Sequence, residues 1–238
     1  MQELTFTRDG ALIRGVVARP EGVGPFPGLI VIPDVRGVSD HYRDVAGRFA
    51  AAGFVSYVVD LYSREGAPEL TDMAAVFAWI AALPDRRVLA DLAGAAARLS
   101  AHPDVRGDAI GITGFCLGGQ YALMAACTAP GIRACVSWYG MLRYAKTNAL
   151  KPASPLDLAP QLACPYLGLF GADDALIPLA DVEALRSILA RHGKTFDLKI
   201  YPDAGHAFFN DARPDTYLPA AAADAFPRAV RFLLDHLA

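Results

Sequence analysis

The sequence predicts a mostly parallel, doubly wound α/β sheet with an N-terminal antiparallel hairpin and helices on both faces. Three observations predict this fold. Short apolar runs of strand length alternate with longer segments of helical period through most of the chain. The apolar runs are continuous, which indicates strands that are buried on both faces. Strands that alternate with helices are typical of a parallel sheet with right-handed crossovers.

The individual elements follow from the same pattern. A hairpin is predicted at the start, because runs at residues 2–7 and 12–18 flank the turn signal Asp9-Gly10. Later strands are predicted at residues 28–33, 54–59, 109–113, 132–138, 166–170 and 196–201. Helices are predicted at residues 41–52, 88–99, 117–127, 179–191 and 220–237. No linker or repeat divides these elements, so we expect one domain over residues 1–238.

Composition excludes several classes of function. A net charge of −3 gives no basic excess for nucleic acid or an anionic membrane. Residues 109–132 carry no charge and are long enough to span a bilayer, but their glycines and proline predict strand, turn and helix instead. The four cysteines form no CxxC pair and the N-terminus has no signal-peptide pattern. We therefore expect a reduced, cytoplasmic protein without metal or cofactor.

The most informative motif is Gly114-Phe115-Cys116-Leu117-Gly118-Gly119, between a predicted strand and a predicted helix. It matches the nucleophile elbow of α/β-hydrolases, with Cys in place of Ser. The sharp turn needs small residues at 114 and 118, and it places the thiol at the positive end of a helix. The N–H of Leu117 is then placed to stabilise an oxyanion. The alternative is a buried core cysteine beside incidental glycines, and the strand-turn-helix context favours the nucleophile.

A base and an acid follow in the expected order. His206 comes after the strand predicted at residues 196–201, where this fold class carries its histidine. The acid should lie between Cys116 and His206, and the loop after residue 170 holds both Asp173 and Asp174. Spacing alone does not choose between these two carboxylates, one of which is expected to serve a turn or helix cap.

Together these residues resemble the dienelactone hydrolase (carboxymethylenebutenolidase) family over almost the whole chain. The matching segments are Asp34-Val35-Arg36-Gly37-Val38, Asp60-Leu61-Tyr62, the Cys116 elbow and Ala204-Gly205-His206-Ala207-Phe208. The family's acid lies in a G-x-x-D-x-x-x-P loop, so the resemblance selects Asp174. It also implies a carboxylate that contacts the thiol, here Asp34, and a second oxyanion N–H from Val35. Asp is one methylene shorter than the family's Glu, and a simple turn role for Asp34 is the alternative.

The sequence departs from the family where the substrate carboxylate is bound. One of the family's two arginines corresponds to Asn210 here, and the segment from Glu69 to Met73 lacks the other. Either Arg36, beside the expected oxyanion hole, replaces this clamp, or the substrate is an uncharged ester or lactone. A surface arginine that pairs with Asp34 or Asp40 is an equally good interpretation. Tyr139, after the strand at residues 132–138, is expected to line the pocket or to belong to the core.

The expected function is hydrolysis of a lactone or activated ester through a Cys-His-Asp triad and an acyl-thioester. A broad-specificity carboxylesterase or thioesterase on the same site is the first alternative. A non-catalytic binding protein that keeps the fold is the second. We expect a small-molecule ester or lactone as substrate, no nucleic-acid or membrane partner, and a monomer or small homo-oligomer.

Overall fold

The computed structural model describes residues 1–237, and its centre is a single eight-stranded sheet. The strands are β1 (Gln2–Glu3), β2 (Phe6–Arg8), β3 (Ala11–Ile13), β4 (Gly15–Ala18), β5 (Phe26–Ile32), β6 (Val55–Val59), β7 (Val105–Phe115), β8 (Ile132–Trp138), β9 (Tyr166–Gly171) and β10 (Phe196–Tyr201). The sheet order is β1-β4-β6-β5-β7-β8-β9-β10. Strands β5 to β10 are mutually parallel, and β4 pairs antiparallel with both of its neighbours, β1 and β6. The predicted α/β fold is confirmed.

Burial explains why the apolar runs are continuous. Leu29, Ile30, Val31 and Ile32 of β5 are consecutive and fully buried. Because successive strand side chains point to opposite faces, both faces of β5 are covered. All five residues of β6 are likewise buried. These strands form the centre of the core and bring their carboxyl ends to one edge of the sheet.

The N-terminal hairpin is built differently from the prediction. Each of the two predicted strands is divided, so that β1 and β4 extend the main sheet while β2 and β3 form a separate two-stranded ribbon. The ribbon turns at Asp9 and Gly10, whose φ angles of 47° and 75° are both positive, as a type I′ turn requires. The predicted turn is therefore confirmed, and the predicted lengths of its strands are wrong.

The helices are α1 (Asp40–Ala51), α2 (Met73–Ala82), α3 (Asp85–Ser100), α4 (Leu117–Thr128), α5 (Pro155–Leu158), α6 (Leu179–Arg191) and α7 (Pro219–Leu237), with a 3₁₀ turn at Ala159–Gln161. Five of them match predicted helices to within about three residues. Helix α2 and the short α5 were not predicted from the sequence. Helix α2 is apolar almost throughout and carries no charge, so it lacks the one-sided pattern that marks an amphipathic helix. Its signal is the N-cap Asp72, which accepts from Ala75 N–H at 2.8 Å.

The uncharged stretch at residues 109–132 is divided as predicted. It forms most of β7, the turn at Cys116 and helix α4, and every residue of α4 from Leu117 to Cys127 is buried. The helices within residues 1–237 include none with the length and apolarity needed to cross a membrane.

Candidate active site

Cys116 occupies a strained turn between β7 and α4. Its φ of 54° and ψ of −116° are rarely adopted by residues other than glycine. A Cβ atom on Gly114 would lie 2.0 Å from the carbonyl oxygen of Gly118, and one on Gly118 would lie 2.2 Å from that of Ile32. The N–H of Cys116 donates to the carbonyl of Trp138 at 3.0 Å. Close backbone packing therefore requires the two glycines and fixes the position of the thiol.

The thiol, an imidazole and a carboxylate form a continuous hydrogen-bonded chain. Cys116 Sγ lies 3.1 Å from His206 Nε2. His206 Nδ1 donates to Asp174 Oδ2 at 2.8 Å, and Leu176 N–H donates to Asp174 Oδ1 at 2.8 Å. Asp173 is exposed, and its side chain takes no part in this chain. Of the two carboxylates that spacing left open, the structure brings Asp174 to the histidine.

The surroundings of His206 favour its protonated form. Burial alone lowers the pKa of His206, but hydrogen bonds to Asp174 and Cys116 and their charges outweigh burial and raise the pKa to about 10. Two of these four contributions come from Cys116. Any reaction that removes negative charge from the sulfur therefore lowers the pKa of His206 and makes its Nε2 a better proton acceptor.

Asp34 lies in the loop directly after β5 and is almost fully buried. Its Oδ1 accepts from Arg36 N–H at 2.8 Å and its carbonyl accepts from Gly37 N–H at 3.0 Å. Burial, followed by the charge of Asp34, raises the pKa of both Tyr42 and Tyr139 well above the ordinary value. The carboxylate therefore combines a turn role with a position at the cavity.

The predicted contact between Asp34 and the thiol is not formed as a hydrogen bond within residues 1–237. The hydrogen bond of Cys116 Sγ is to His206. Both Asp34 and Cys116 nevertheless line the same cavity. Their contact during a reaction stays a prediction.

The predicted oxyanion donors lie on either side of Cys116. Val35 follows Asp34 in the loop after β5, and Leu117 is the first residue of α4. Both residues line the cavity. Within residues 1–237 neither N–H donates to a protein acceptor. Both amides are therefore available to a ligand, as an oxyanion hole requires.

The cavity in front of Cys116 has a volume of about 440 Å³. Arg36 and Tyr139 both line it. Tyr139 is buried, with its ring edge-to-face to that of His206 at 5.3 Å. Asn210 does not line the cavity. Its Oδ1 instead accepts from Ala212 N–H at 3.1 Å, so its amide stabilises a turn.

The charged surroundings of the cavity also differ from the sequence-based prediction. No carboxylate within residues 1–237 forms an ion pair with Arg36, so the predicted surface pairing with Asp34 or Asp40 is absent there. A second arginine, Arg213, lines the same cavity and was not predicted. Its only signal in the sequence is its place seven residues after His206, in a loop without regular pattern.

Helix α2 and its preceding segment supply an apolar wall that was also not predicted. The residues of this wall are Leu70, Met73, Val76, Phe77 and Ile80. Gln120 of α4, one helical turn after the thiol, also lines the cavity. Within residues 1–237 no group of three or more His, Cys, Asp or Glu side chains is arranged to hold a metal ion.

Known proteins share this fold and its length. The model of the dienelactone hydrolase family matches residues 13–237. A Bradyrhizobium protein with the provisional name 2-oxo-3-(5-oxofuran-2-ylidene)propanoate lactonase is 39% identical over 221 residues, which are 93% of this chain and 88% of the relative. An Escherichia coli K12 protein with the provisional name carboxymethylenebutenolidase is 38% identical over 220 residues, which are 90% of this chain and 79% of the relative.

A crystal structure agrees. A provisionally named dienelactone hydrolase from Klebsiella pneumoniae superposes with a TM-score of 0.93 at 35% identity, covering 98% of this chain and 97% of the other. The match in sequence and in fold extends over nearly every residue. This chain therefore belongs to the dienelactone hydrolase family.

Proposed function

We propose that this hydrolase of lactone or ester bonds works by acyl transfer to Cys116, with His206 as acid and base and Asp174 orienting the imidazole. The observation that carries the proposal is the chain of contacts from thiol to imidazole to carboxylate, at 3.1 Å and 2.8 Å. A nucleophile, a base and an orienting group within hydrogen-bond reach are the arrangement that covalent catalysis requires.

In the first half of the reaction the sulfur of Cys116 attacks the carbonyl carbon and forms a C–S bond. The N–H groups of Val35 and Leu117 stabilise the resulting oxyanion. The C–O bond then breaks, and the imidazolium of His206 gives its proton to the leaving oxygen. The products of this half-reaction are an acyl-thioester and the free alcohol, enol or ring-opened hydroxyl.

Water completes the cycle. Once the sulfur is acylated, it no longer carries the charge that raises the pKa of His206. His206 Nε2 then accepts a proton from water, and the hydroxide attacks the thioester carbonyl. The C–S bond breaks and returns its electron pair to the sulfur, the carboxylic acid leaves and gives its proton to solvent, and Cys116 and His206 return to their first state. The same histidine thus serves as acid and as base because its pKa depends on the sulfur.

The thiol favours substrates whose leaving group is already stabilised. In the tetrahedral intermediate a thiolate leaves more readily than an alkoxide, so an alkyl ester reverts to substrate. An enolate or a phenolate leaves readily enough to compete. We therefore propose enol lactones and activated esters as the substrate class.

The two arginines support an anionic substrate. Arg36 is exposed and makes no ion pair within residues 1–237, and Arg213 pairs only weakly with exposed Asp215 at 3.4 Å. The provisional name of the Bradyrhizobium relative specifies a lactone that carries a carboxylate, a propanoate. We propose that Arg36 and Arg213 bind a substrate carboxylate. Replacing either with Met should raise KM for an acidic dienelactone at least about tenfold more than for p-nitrophenyl acetate, the scale of one charged hydrogen bond.

Arg43→Met is the control for this experiment, because Arg43 is an exposed arginine of α1 that lies outside the cavity. An equal loss for the acidic and the neutral substrate would contradict the clamp. The apolar wall of α2 favours the alternative, a neutral carboxylesterase or thioesterase. Faster turnover of neutral aryl esters or thioesters than of the acidic lactone would select that alternative.

The nucleophile is tested by trapping the intermediate. Wild-type protein mixed with a slowly hydrolysed aryl ester and quenched in acid should show the acyl mass on the peptide that contains Cys116. Cys116→Ala should show no acyl mass and no turnover. Cys127→Ala is the matched control, because Cys127 is a buried cysteine of α4, the helix that follows Cys116, and burial raises its pKa to about 12. Full activity in Cys116→Ala would refute the proposed mechanism.

The remaining cysteines fit the reduced, cytoplasmic setting that we propose. All four cysteines are free, and Cys127, Cys135 and Cys164 are buried. Burial raises the pKa of all three thiols, so iodoacetamide should label Cys116 selectively.

A further inference from the structure

Gln120 lines the cavity, and its side-chain oxygen is a buried acceptor that has no partner in the described part of the chain. It lies on α4 one turn after the nucleophile, and its N–H donates to the carbonyl of Cys116 at 3.1 Å. The side chain is 1% exposed and lines the cavity. Its Oε1 is buried and has no hydrogen-bond partner within residues 1–237. Buried polar atoms are almost always paired, so an unpaired one at a cavity points to a ligand.

Neighbouring groups determine which way the Gln120 amide is turned. Gln120 Nε2 lies 2.7 Å from Tyr144 Oη, and Tyr144 Oη lies 2.8 Å from Asp85 Oδ2. A carboxylate only accepts, so the Tyr144 hydroxyl must give its single proton to Asp85. Burial, followed by the charge of Asp85, raises the pKa of Tyr144 well above its ordinary value, so this proton is retained. Tyr144 can then only accept from Gln120, which turns the NH₂ toward Tyr144 and the C=O away from it.

A buried ion pair holds this arrangement in place. Lys151 Nζ donates to Asp85 Oδ1 at 2.6 Å and to Tyr121 Oη at 2.9 Å. Tyr121 Oη in turn donates to Asp85 Oδ1 at 2.8 Å. Lys151 and Asp85 are both buried, so their charges balance each other away from water. A Gln120 amide rotated by 180° would place its oxygen against the Tyr144 oxygen and lose a buried hydrogen bond, so the network selects one orientation.

We infer that Gln120 Oε1 accepts a hydrogen bond from a donor on the substrate, and that the enzyme selects lactones or esters that carry a hydroxyl or N–H group near the scissile carbonyl. The inference rests on the proposed function and narrows its substrate class. A carboxylate cannot fill this position, because it has no proton to donate. Gln120 is thus a specificity residue, and Tyr144 is a positioning residue that acts through it.

The test compares substrates that differ in one group of equal size. A panel of p-nitrophenyl butanoates carries either a hydroxyl or a methyl group at C2 or C3, and a panel of phenyl acetates carries either a hydroxymethyl or an ethyl group on the ring. For each pair the hydroxyl-to-methyl ratio of kcat/KM is measured in wild type and in Gln120→Met. We expect this ratio to fall about tenfold in the variant for at least one pair, the effect of one lost hydrogen bond in a dry site. Intrinsic reactivity cancels in this comparison.

Tyr144→Phe tests the positioning role, because it frees the Gln120 amide to turn its NH₂ into the cavity. The hydroxyl-to-methyl ratio should fall in this variant as well. Tyr201→Phe is the matched control, since Tyr201 also donates to a carboxylate, Asp224 Oδ2 at 2.7 Å, but lies outside the cavity. Its ratio should equal that of wild type. A loss in Tyr201→Phe equal to that in Tyr144→Phe would overturn the positioning role.

A second measurement uses only wild-type protein and binding, so it depends neither on turnover nor on the folding of a variant. Hydroxylated and methylated butanamides, which are not hydrolysed, are tested for protection of wild-type Cys116 from iodoacetamide. The hydroxylated amide should protect at about a tenfold lower concentration. Equal protection for every pair would mean that Gln120 holds only water, and the inference would be wrong. Failure of all esters to turn over would instead reject the proposed function, while the protection assay would still decide the donor preference.

Discussion

Replacing Asp174 with Asn tests whether the charge of this side chain and its hydrogen-bond acceptors are needed, because Asn has nearly the same shape as Asp. The substitution keeps the size of a side chain that is fully buried. Asp174 Oδ1 accepts from Leu176 N–H, so the Asn oxygen must take that position. The Asn NH₂ group then faces His206 Nδ1 where a carboxylate oxygen stood. Nδ1 is forced to accept and Nε2 to carry the proton, so the imidazole presents a donor to Cys116 and water, where catalysis needs an acceptor.

The size of the effect follows from these contacts. Restoring the productive tautomer requires the Asn amide to flip. The flip leaves the Leu176 N–H without a partner, which costs about 1–3 kcal/mol. Loss of the charged hydrogen bond to the imidazolium removes a further amount of about 1.5–3 kcal/mol. Together these contributions amount to about 3–6 kcal/mol, or a loss in kcat/KM of about 10²–10⁴-fold at 1.36 kcal/mol per tenfold.

The assay is kcat/KM for p-nitrophenyl acetate across pH, beside the rate of Cys116 alkylation by iodoacetamide. Asp173→Asn provides a matched control, because this neighbouring aspartate is exposed and should retain wild-type activity. Activity of Asp174→Asn within tenfold of wild type would refute the argument. So would a greater loss in Asp173→Asn, which would move the orienting role to the other carboxylate.

Three further outcomes are expected from the same geometry. Gly118→Ala should lower the free energy of unfolding, measured in urea, by about 1–3 kcal/mol, because its Cβ would lie 2.2 Å from the carbonyl oxygen of Ile32. The control is Gly47→Ala, in open space on α1, which should be neutral or stabilising by up to about 1 kcal/mol. Equal effects of the two substitutions would contradict the packing argument. Cys116→Ala should lower the pKa of His206 from about 10, seen by NMR titration of the imidazole, and an unchanged pKa would remove the thiol as a cause. Because folding raises the pKa of His206, this residue's contribution to the free energy of unfolding should be complete below about pH 6.5, the pKa of an unfolded histidine, and should decline as pH rises toward 10. In Cys116→Ala the same decline should come at lower pH.

Local chemistry explains which parts of the site could be predicted. Cys116 and His206 lie in short segments after parallel strands, where chain order and turn geometry restrict the choice of residue. Asp174 was harder, because spacing alone did not separate it from Asp173, and only the resemblance to the family's G-x-x-D-x-x-x-P loop selected it. The structure makes that distinction through the contacts of Asp174 with His206 and Leu176. The catalytic roles of these residues stay predictions until the variants are measured.

The cavity wall was predicted less well, because it depends on contacts between distant segments. Asn210 was chosen by its distance from His206, but its amide is used within its own turn. Arg213 reaches the cavity from an irregular loop that no periodic pattern marks. Helix α2 was missed because it is apolar on nearly every side and so has no polar face to reveal its period. Gln120 falls inside a correctly predicted helix, yet its orientation depends on Tyr144, 24 residues away.

The close packing of Gly118 has a consequence for how such a site can diversify. A Cβ on Gly118 would meet the carbonyls of Ile32 and Pro33, so the elbow and the loop that carries Val35 touch backbone to backbone. The spacing between the Val35 and Leu117 amides is thus set by main-chain atoms alone. Substitutions among the lining side chains can reshape the cavity without moving these two donors. Recognition of new substrates and the proposed stabilisation of the oxyanion are therefore separable traits, and the former can change while the geometry of the latter is inherited intact.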